Sequence, residues 1–174
     1  NSTDDSKLKP FEKALGSMVS TTKGESNTFG DGQSLGDAVA ITLHTRMATS
    51  PKNMMNVHPF VYEDMDTSLI HNGVISNDED FKKFVSTCDS EAILSNYLDH
   101  GVNLNASDAG KMAAVLNGYY ACGVFSRNHE GVRILDVFKG NTAQLYLQEI
   151  RELEVLVFAT NDDDVKRVCT RLGL

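Results

Sequence analysis

Four residues of this chain have the types that chemistry on an amino-acid substrate requires: Arg46, Asp89 and the pair Asn72-Gly73. An arginine offers a planar, bidentate donor for an α-carboxylate, and an aspartate offers a negative charge for an α-ammonium group. The side-chain amide of an asparagine and the backbone N–H of the next glycine are suitable donors for the oxyanion that develops when an amide is cleaved. Together these residues predict a site that holds an amino acid and polarises its side-chain amide.

Each of these residues also has a simpler structural interpretation when it is taken alone. An isolated arginine usually makes a weak surface ion pair, and Asn-Gly is a common turn dipeptide. Asp89 stands where the N-cap of a helix is expected. Only the combination favours a binding site over these separate roles.

Three histidines, His44, His58 and His71, lie in the same part of the chain. Their spacing matches no common zinc-ligand pattern, so each is interpreted as a hydrogen-bonded structural histidine. We therefore expect no metal and no other cofactor.

Composition restricts the partners that the chain can have. Its 174 residues are a usual size for one domain with one core, and we interpret residues 1–174 as a single domain. The net charge of -8, without a cluster of Lys and Arg among aromatic residues, argues against a nucleic-acid partner. No apolar run approaches the roughly 18 residues that cross a bilayer, and no signal peptide is recognisable, so no membrane partner is expected.

The cysteines indicate a reducing environment. Cys88, Cys122 and Cys169 are an odd number at wide spacing, which fits neither a disulfide framework nor a CxxC metal site. The sequence therefore predicts a cytoplasmic protein, or one of another reducing compartment.

The apolar pattern predicts the elements that would position the candidate residues. Three- and four-residue spacing after Pro10 indicates a helix. Alternation in AVAITLHT, residues 38–45, predicts a strand that leads into HTRMATS, residues 44–50. The next strand is expected within residues 61–71, where Asn72-Gly73 would end it.

The rest of the chain is predicted to contain three helices, then four strands, then a last helix. Helices are predicted at residues 77–86, 90–101 and 108–118, and a last helix should turn inward Val165, Val168, Cys169 and Leu172. Four strands are predicted between them, at residues 119–127, 132–140, 144–150 and 153–160. Because short links cannot make parallel crossovers, these strands should pair in an antiparallel manner. The fold class is predicted to be α+β, with sandwiched sheets.

Four segments in order resemble motifs of the class II glutamine amidotransferases: HTRMATS (44–50), NVHPF (56–60), LIHNGVISN (69–77) and CDSEAI (88–93). The glutaminase domains of that family carry HTRWATHG, NAHP, VHNGII.N and TDSE-type segments in the same order. The family belongs to the N-terminal nucleophile (Ntn) hydrolases. The resemblance implies an αββα fold, in which two antiparallel sheets lie between helical layers.

The resemblance also implies a role for each matching residue. Arg46 would bind the α-carboxylate of glutamine with Thr49 close by, and Asp89 would bind the α-ammonium group. Asn72 and Gly73 would form the oxyanion hole. The residues expected to support the pocket are His44, His58 and His71. The substrate would be glutamine or a γ-glutamyl compound, and a separate acceptor domain or structural protein is a candidate partner.

The nucleophile of this family is a cysteine at the mature N-terminus. Its own α-amine, with a pKa of about 7.7 to 8, can act as the base that activates the thiol. This sequence begins with Asn1, and an internal cysteine has no α-amine beside it. We therefore expect a nucleophilic cysteine upstream of Asn1 in the full-length product. The alternative is a non-catalytic binding or structural module that keeps the fold without the nucleophile.

Overall fold

The computed structural model describes residues 8–22, 40–44, 56–62, 66–83, 86–100 and 106–174. The chain divides into two compact units. One unit is residues Asn1–Thr45 together with Leu145–Leu174, and the other is Arg46–Gln144. The prediction of one domain over residues 1–174 stays a prediction, and each unit is described by itself.

The unit Arg46–Gln144 contains a four-stranded antiparallel sheet in the order β1-β2-β3-β4. The strands are β1 (Phe60–Tyr62), β2 (Thr67–Ile75), β3 (Gly118–Arg127) and β4 (Arg133–Lys139). Strand β1 pairs only with the first three residues of β2, from Thr67 to Leu69. The later part of β2, which carries His71, Asn72 and Gly73, therefore extends beyond the end of β1.

One face of this sheet carries the core of the unit. Helices α2 (Asp89–Asp99) and α3 (Ala106–Val115) contribute to it, and alternate residues of β2 and β3 point towards them. The buried residues of the core are Phe60, Leu69, Ile75, Cys88, Ile93, Leu94, Tyr97, Met112, Leu116, Tyr120, Cys122 and Val124. The opposite face has exposed apolar side chains at Val61, Val74, Tyr119 and Leu135.

The other unit pairs two helices with a two-stranded antiparallel sheet. Its elements are α1 (Lys9–Thr22), β5 (Tyr146–Ile150), β6 (Val155–Ala159) and α4 (Asp162–Leu172). Asn161 caps α4 by accepting a hydrogen bond from the Asp163 N–H, and Gly173 ends it in the left-handed conformation. The core consists of Leu8, Leu15, Ile150, Val165, Val168 and Cys169.

The two-stranded sheet also has one covered and one exposed face. Ile150 is buried, whereas Leu147, Leu156 and Phe158 are exposed and lie together on the other face. Each of the two sheets therefore presents exposed apolar residues on the face that its core does not use.

Much of the predicted architecture is confirmed. The described residues form a mixed α+β structure with two antiparallel sheets and four α-helices. The helix after Pro10, the helices near residues 90–101 and 108–118, and the last helix are all present, as are the four strands between residues 118 and 159. The inward-facing residues of α4 are confirmed, since Val165, Val168 and Cys169 are buried and Leu172 packs against them.

Several local predictions are wrong or incomplete. The strand expected within residues 61–71 is present as β2 from Thr67 onwards, and Phe60–Tyr62 form a further strand, β1, that pairs with β2 in an antiparallel manner. Asn72-Gly73 does not end β2, which continues to Ile75 because both residues pair with β3. In the described part of the helix predicted at residues 77–86, helical structure is limited to a 3-10 turn at Asp78–Asp80.

The predicted strand at residues 38–45 is also wrong for its described part. Residues 40–44 form no strand. Alternation of apolar residues describes which side chains share a face, but a strand also needs a hydrogen-bonded neighbour.

Within the described ranges, no helix has both the length and the apolar character needed to cross a membrane.

Candidate functional site

Three segments of the chain meet at the hydroxyl of Ser90. The Nε2 atom of His58 lies 2.9 Å from Ser90 Oγ, and the Nδ1 atom of His71 lies 2.8 Å from the same oxygen. Ser90 is the second residue of α2 and only 1% of its surface is exposed. The hydroxyl therefore connects the segment before β1, the middle of β2 and the first turn of α2.

The neighbouring Asp89 connects α2 to β2 a second time. Its Oδ2 atom accepts a hydrogen bond from the backbone N–H of Ile75 at 2.7 Å. The prediction that Asp89 is the N-cap is wrong: Cys88 is the N-cap and Asp89 is the first helical residue. The Asp89 carboxylate is held by a strand amide rather than by the amides of its own helix, and its charge still lies at the positive end of α2.

One edge of β2 receives the Asp89 carboxylate. The N–H of Ser76 donates to Asn117 O at 2.8 Å on the β3 side, whereas the N–H of Ile75 donates to Asp89 on the opposite side. In a regular strand successive amides point to opposite edges, so the Gly73 N–H is expected on the edge that the Ile75 N–H faces. Two residues of a strand span about 7 Å, which suits one extended amino acid.

The backbone of Gly73 approaches β3 so closely that no side chain fits. Gly73 has a φ of 139°, and a Cβ atom placed there would lie 1.9 Å from the carbonyl oxygen of Tyr119. Only glycine adopts such a conformation without strain. The glycine at this position is thus a requirement of the β2–β3 pairing, whatever its N–H does.

Asn72 lies on the other face of β2. His71 is buried with the core, whereas Asn72 is exposed, as the alternation of side chains along a strand requires. The side chain of Asn72 is therefore on the opposite face from the Ser90 hydroxyl and its two histidines.

A buried carboxylate supports the first turn of α2. Glu91 has no exposed surface; its Oε1 accepts from the Tyr62 hydroxyl at 2.8 Å, and its Oε2 accepts from both the N–H and the hydroxyl of Ser86 at 2.8 Å. Burial, the hydrogen bond to Glu91 and the charge of Glu91 all raise the pKa of Tyr62 above its usual range. These contacts fix the turn that carries Asp89 and Ser90.

Both cysteines close to this region are buried. Cys122 pairs with His71 across β2 and β3 and is fully buried; burial first, and the Asp89 charge second, raise the pKa of its thiol. Cys88 is also buried, and its Sγ lies 3.4 Å from Asp89 Oδ1 and 3.3 Å from Ser90 Oγ. A nucleophilic cysteine needs an accessible thiolate, which the site of Cys122 disfavours.

The other predicted site residues are distributed as follows. His44 is half-buried and belongs to the unit that contains α1 and α4. Arg46 and Thr49 lie outside the described residues. Of the predicted set, the structure brings His58 and His71 together at one atom, with Asp89 adjacent to the residue that bears it. The functional roles that the sequence predicts stay predictions for Arg46, Thr49, Asn72, Gly73 and Asp89.

Ser90, Ile75 and Glu91 were not among the predicted site residues. The signal for Ser90 and Glu91 was present, because both follow Asp89 directly in the CDSEAI segment and polar residues in a buried first turn need partners. No sequence signal marks Ile75, since it contributes only its backbone N–H.

The part of the chain that the structure describes contains no candidate metal site. There, no group of three or more His, Cys, Asp or Glu side chains is arranged to hold a metal ion. The cluster around Ser90 instead consists of two imidazoles, one hydroxyl and one thiol beside one carboxylate. No protein-family model matches the chain, and no curated protein matches it significantly.

Proposed function

We propose that this chain is the glutaminase-type domain of a class II glutamine amidotransferase-like amidohydrolase. The substrate is glutamine or a γ-glutamyl compound, and the bond cleaved is the side-chain amide. The proposal rests on the motif resemblance, and one structural observation carries it further.

That observation is the meeting of three motifs at one hydroxyl. His58 comes from NVHPF, His71 from LIHNGVISN and Ser90 from CDSEAI. His58 precedes Ser90 by 32 residues and His71 precedes it by 19, yet both imidazoles lie within 3 Å of Ser90 Oγ. Segments that merely resembled the motifs by chance would have no reason to converge on one buried atom.

The edge of β2 supplies groups of the right chemistry for one end of an amino acid. The Asp89 carboxylate offers a negative charge for the α-ammonium group, and the Gly73 N–H is expected on the same edge. In the proposed site, Arg46 binds the α-carboxylate with Thr49 beside it, and Asn72 and Gly73 donate to the oxyanion. His44, His58 and His71 support the pocket.

The proposed reaction uses a cysteine upstream of Asn1. Its thiolate attacks the side-chain carbonyl carbon of glutamine, the C–N bond breaks, and the departing nitrogen takes the proton that the α-amine removed from the thiol. Water then hydrolyses the thioester to glutamate and regenerates the thiol. The raised pKa of Cys122 supports a nucleophile other than this buried cysteine.

The finer fold assignment is also part of this proposal. In an αββα arrangement, each sheet packs one face against helices and the other against the second sheet. The mixed α+β composition of the described residues, with two antiparallel sheets and four α-helices, supports that assignment.

The deciding experiment measures ammonia release from glutamine by the full-length natural protein. We expect activity that Arg46→Lys abolishes, because an ammonium group does not provide the bidentate contact of a guanidinium. Arg133→Lys is the matched control, since Arg133 is an exposed residue at the start of β4, and it should keep full activity.

A diazo ketone analogue of glutamine identifies the nucleophile in the same protein. Mass spectrometry should find the adduct on an N-terminal cysteine. Glutamine binding without ammonia release or adduct would instead establish the non-catalytic binding module. If the protein neither binds nor hydrolyses glutamine, the proposed function is refuted.

A further inference from the structure

Ser90 has more hydrogen-bonding neighbours than one hydroxyl proton can serve. Its Oγ lies 2.9 Å from His58 Nε2 and 2.8 Å from His71 Nδ1. The Sγ atom of Cys88 lies 3.3 Å away and is oriented to donate to the same oxygen. A serine hydroxyl has one proton and two acceptor lone pairs.

Counting protons constrains the two histidines jointly. Both imidazole nitrogens lie at hydrogen-bonding distance, so a proton must stand between each of them and the oxygen. Ser90 can supply only one of those protons. At least one of the two facing nitrogens, His58 Nε2 or His71 Nδ1, must therefore carry its own proton. The state in which both facing nitrogens lack a proton is thus excluded.

The position of Ser90 gives this constraint a use. Its neighbour in the chain, Asp89, holds the N–H of Ile75 at 2.7 Å, and its hydrogen-bonded partner His71 directly precedes Asn72-Gly73. A shift of the hydroxyl would move the carboxylate at one end of the proposed pocket relative to the amides at the other.

We propose that Ser90 is a positioning residue of the site, which fixes the tautomers of His58 and His71 and through them the distance between Asp89 and Asn72-Gly73. Its effect on substrate rests on the proposed function, whereas its effect on the two histidines does not. Ser90 is itself buried, with 1% of its surface exposed, so it acts through its neighbours and not on the substrate.

The test records nitrogen spectra of the imidazole rings in histidine-labelled protein. In the wild type, at least one of His58 Nε2 and His71 Nδ1 should carry a proton, and this measurement needs no variant. In Ser90→Ala both rings should change their signals together, and Ser90→Thr, which keeps the hydroxyl, should restore them. Ser95→Ala is the matched control, because Ser95 is a second buried serine of α2, and it should leave both rings unchanged.

Calorimetric titration with glutamine adds the functional measurement. Ser90→Ala should weaken binding on the order of tenfold, the effect expected from losing one buried hydrogen-bonding group, and Ser90→Thr should recover most of the affinity. The inference would be overturned if His58 Nε2 and His71 Nδ1 both lacked a proton in the wild type. It would also be overturned if the nitrogen signals of both rings were unchanged in Ser90→Ala. If the rings respond as expected but the wild type does not bind glutamine, the proposed function fails and the role of Ser90 in setting the histidines stands.

Discussion

The carboxylate of Asp89 and the backbone N–H of Ile75 are joined by a hydrogen bond of 2.7 Å, which fastens the start of α2 to the end of β2. The bond gives Asp89 a structural role in addition to the one predicted for it at the substrate ammonium. A carboxylate can serve both, because each oxygen accepts more than one hydrogen bond. The two roles can be separated by measuring stability and binding in the same variants.

Asp89→Asn keeps the size of the side chain and removes its charge. We expect the free energy of unfolding to fall by about 1 kcal/mol, because the acceptor for the Ile75 N–H becomes neutral and the charge at the N-terminal end of α2 is lost. Glutamine binding should fall by a larger factor, on the order of a hundredfold, since a charge-assisted contact to the ammonium group disappears. Urea denaturation and calorimetry measure the two effects.

Asp99→Asn is the control at the opposite end of the same helix. Asp99 is exposed and is the last residue of α2, where a negative charge is unfavourable to the helix dipole. Its variant should be unchanged or slightly more stable and should bind glutamine as the wild type does. Equal loss of binding in both variants would contradict the role of Asp89.

Gly73→Ala should be strongly destabilising. The added Cβ would lie 1.9 Å from Tyr119 O, and the φ of 139° is unfavourable to alanine. We expect a loss of about 3 kcal/mol or more, measured by chemical denaturation. Gly110→Ala is the contrasting change: Gly110 lies inside α3 with nothing within 4 Å of a new Cβ, so it should stabilise the protein by about 1 kcal/mol. A well-tolerated Gly73→Ala would show that β2 and β3 separate easily.

The Tyr62–Glu91 contact should make the protein less stable in alkali. The pKa of Tyr62 is raised by burial, by its hydrogen bond to Glu91 and by the Glu91 charge. The unfolded chain therefore loses this proton at a lower pH than the folded chain does. The contribution is complete below about pH 10, the ordinary tyrosine pKa, and it declines as the pH rises above that value.

Two variants test this alkaline loss. Tyr62→Phe should cost about 1 kcal/mol at neutral pH, through the lost hydrogen bond to Glu91, and should show a shallower decline of stability above pH 10. Glu91→Gln should lower the pKa of Tyr62, because two of the three causes of its rise come from Glu91. Urea denaturation between pH 7 and pH 11 measures both; a decline as steep in Tyr62→Phe as in the wild type would exclude Tyr62 as a source.

Cys122 and Cys169 should react slowly with alkylating reagents in the folded protein. The pKa of the Cys122 thiol is raised by burial and by Asp89, and that of Cys169 is raised mainly by burial. Few thiolates are therefore present at neutral pH, and alkylation should be at least about tenfold slower than in urea. Mass spectrometry of iodoacetamide-treated protein measures the rate at each position. Rapid modification of native Cys122 would reopen the question of an internal nucleophile.

The sequence was sufficient for those features that depend on side-chain periodicity. The buried stripe of α4 and the strands β3 to β6 follow from regular spacing of apolar residues, which reports the face that an element buries. Asn72-Gly73 shows the limit of such reasoning. Its turn propensity is local, whereas pairing with β3 is tertiary, and the longer pairing keeps β2 continuous to Ile75.

The candidate site was predictable in its residue types but not in its connections. His58 and His71 were expected to be hydrogen-bonded, and both are. Their common partner Ser90 could not be found from spacing, because it depends on how the first turn of α2 meets β2. The displacement of the N-cap from Asp89 to Cys88 has the same origin, since the Ile75 amide competes for the Asp89 carboxylate.

The tight contact between β2 and β3 has an evolutionary consequence. A Cβ atom added to Gly73 would clash with Tyr119 O, and one added to Gly118 would clash with Val74 O. This pair of strands therefore admits no side chain at either glycine. A descendant that had lost its chemistry would still have to keep both glycines in order to fold. Asn72 is under no such obligation on its exposed face, so under the proposed function a changed Asn72 beside an unchanged Gly73 is the pattern expected of relatives without the activity.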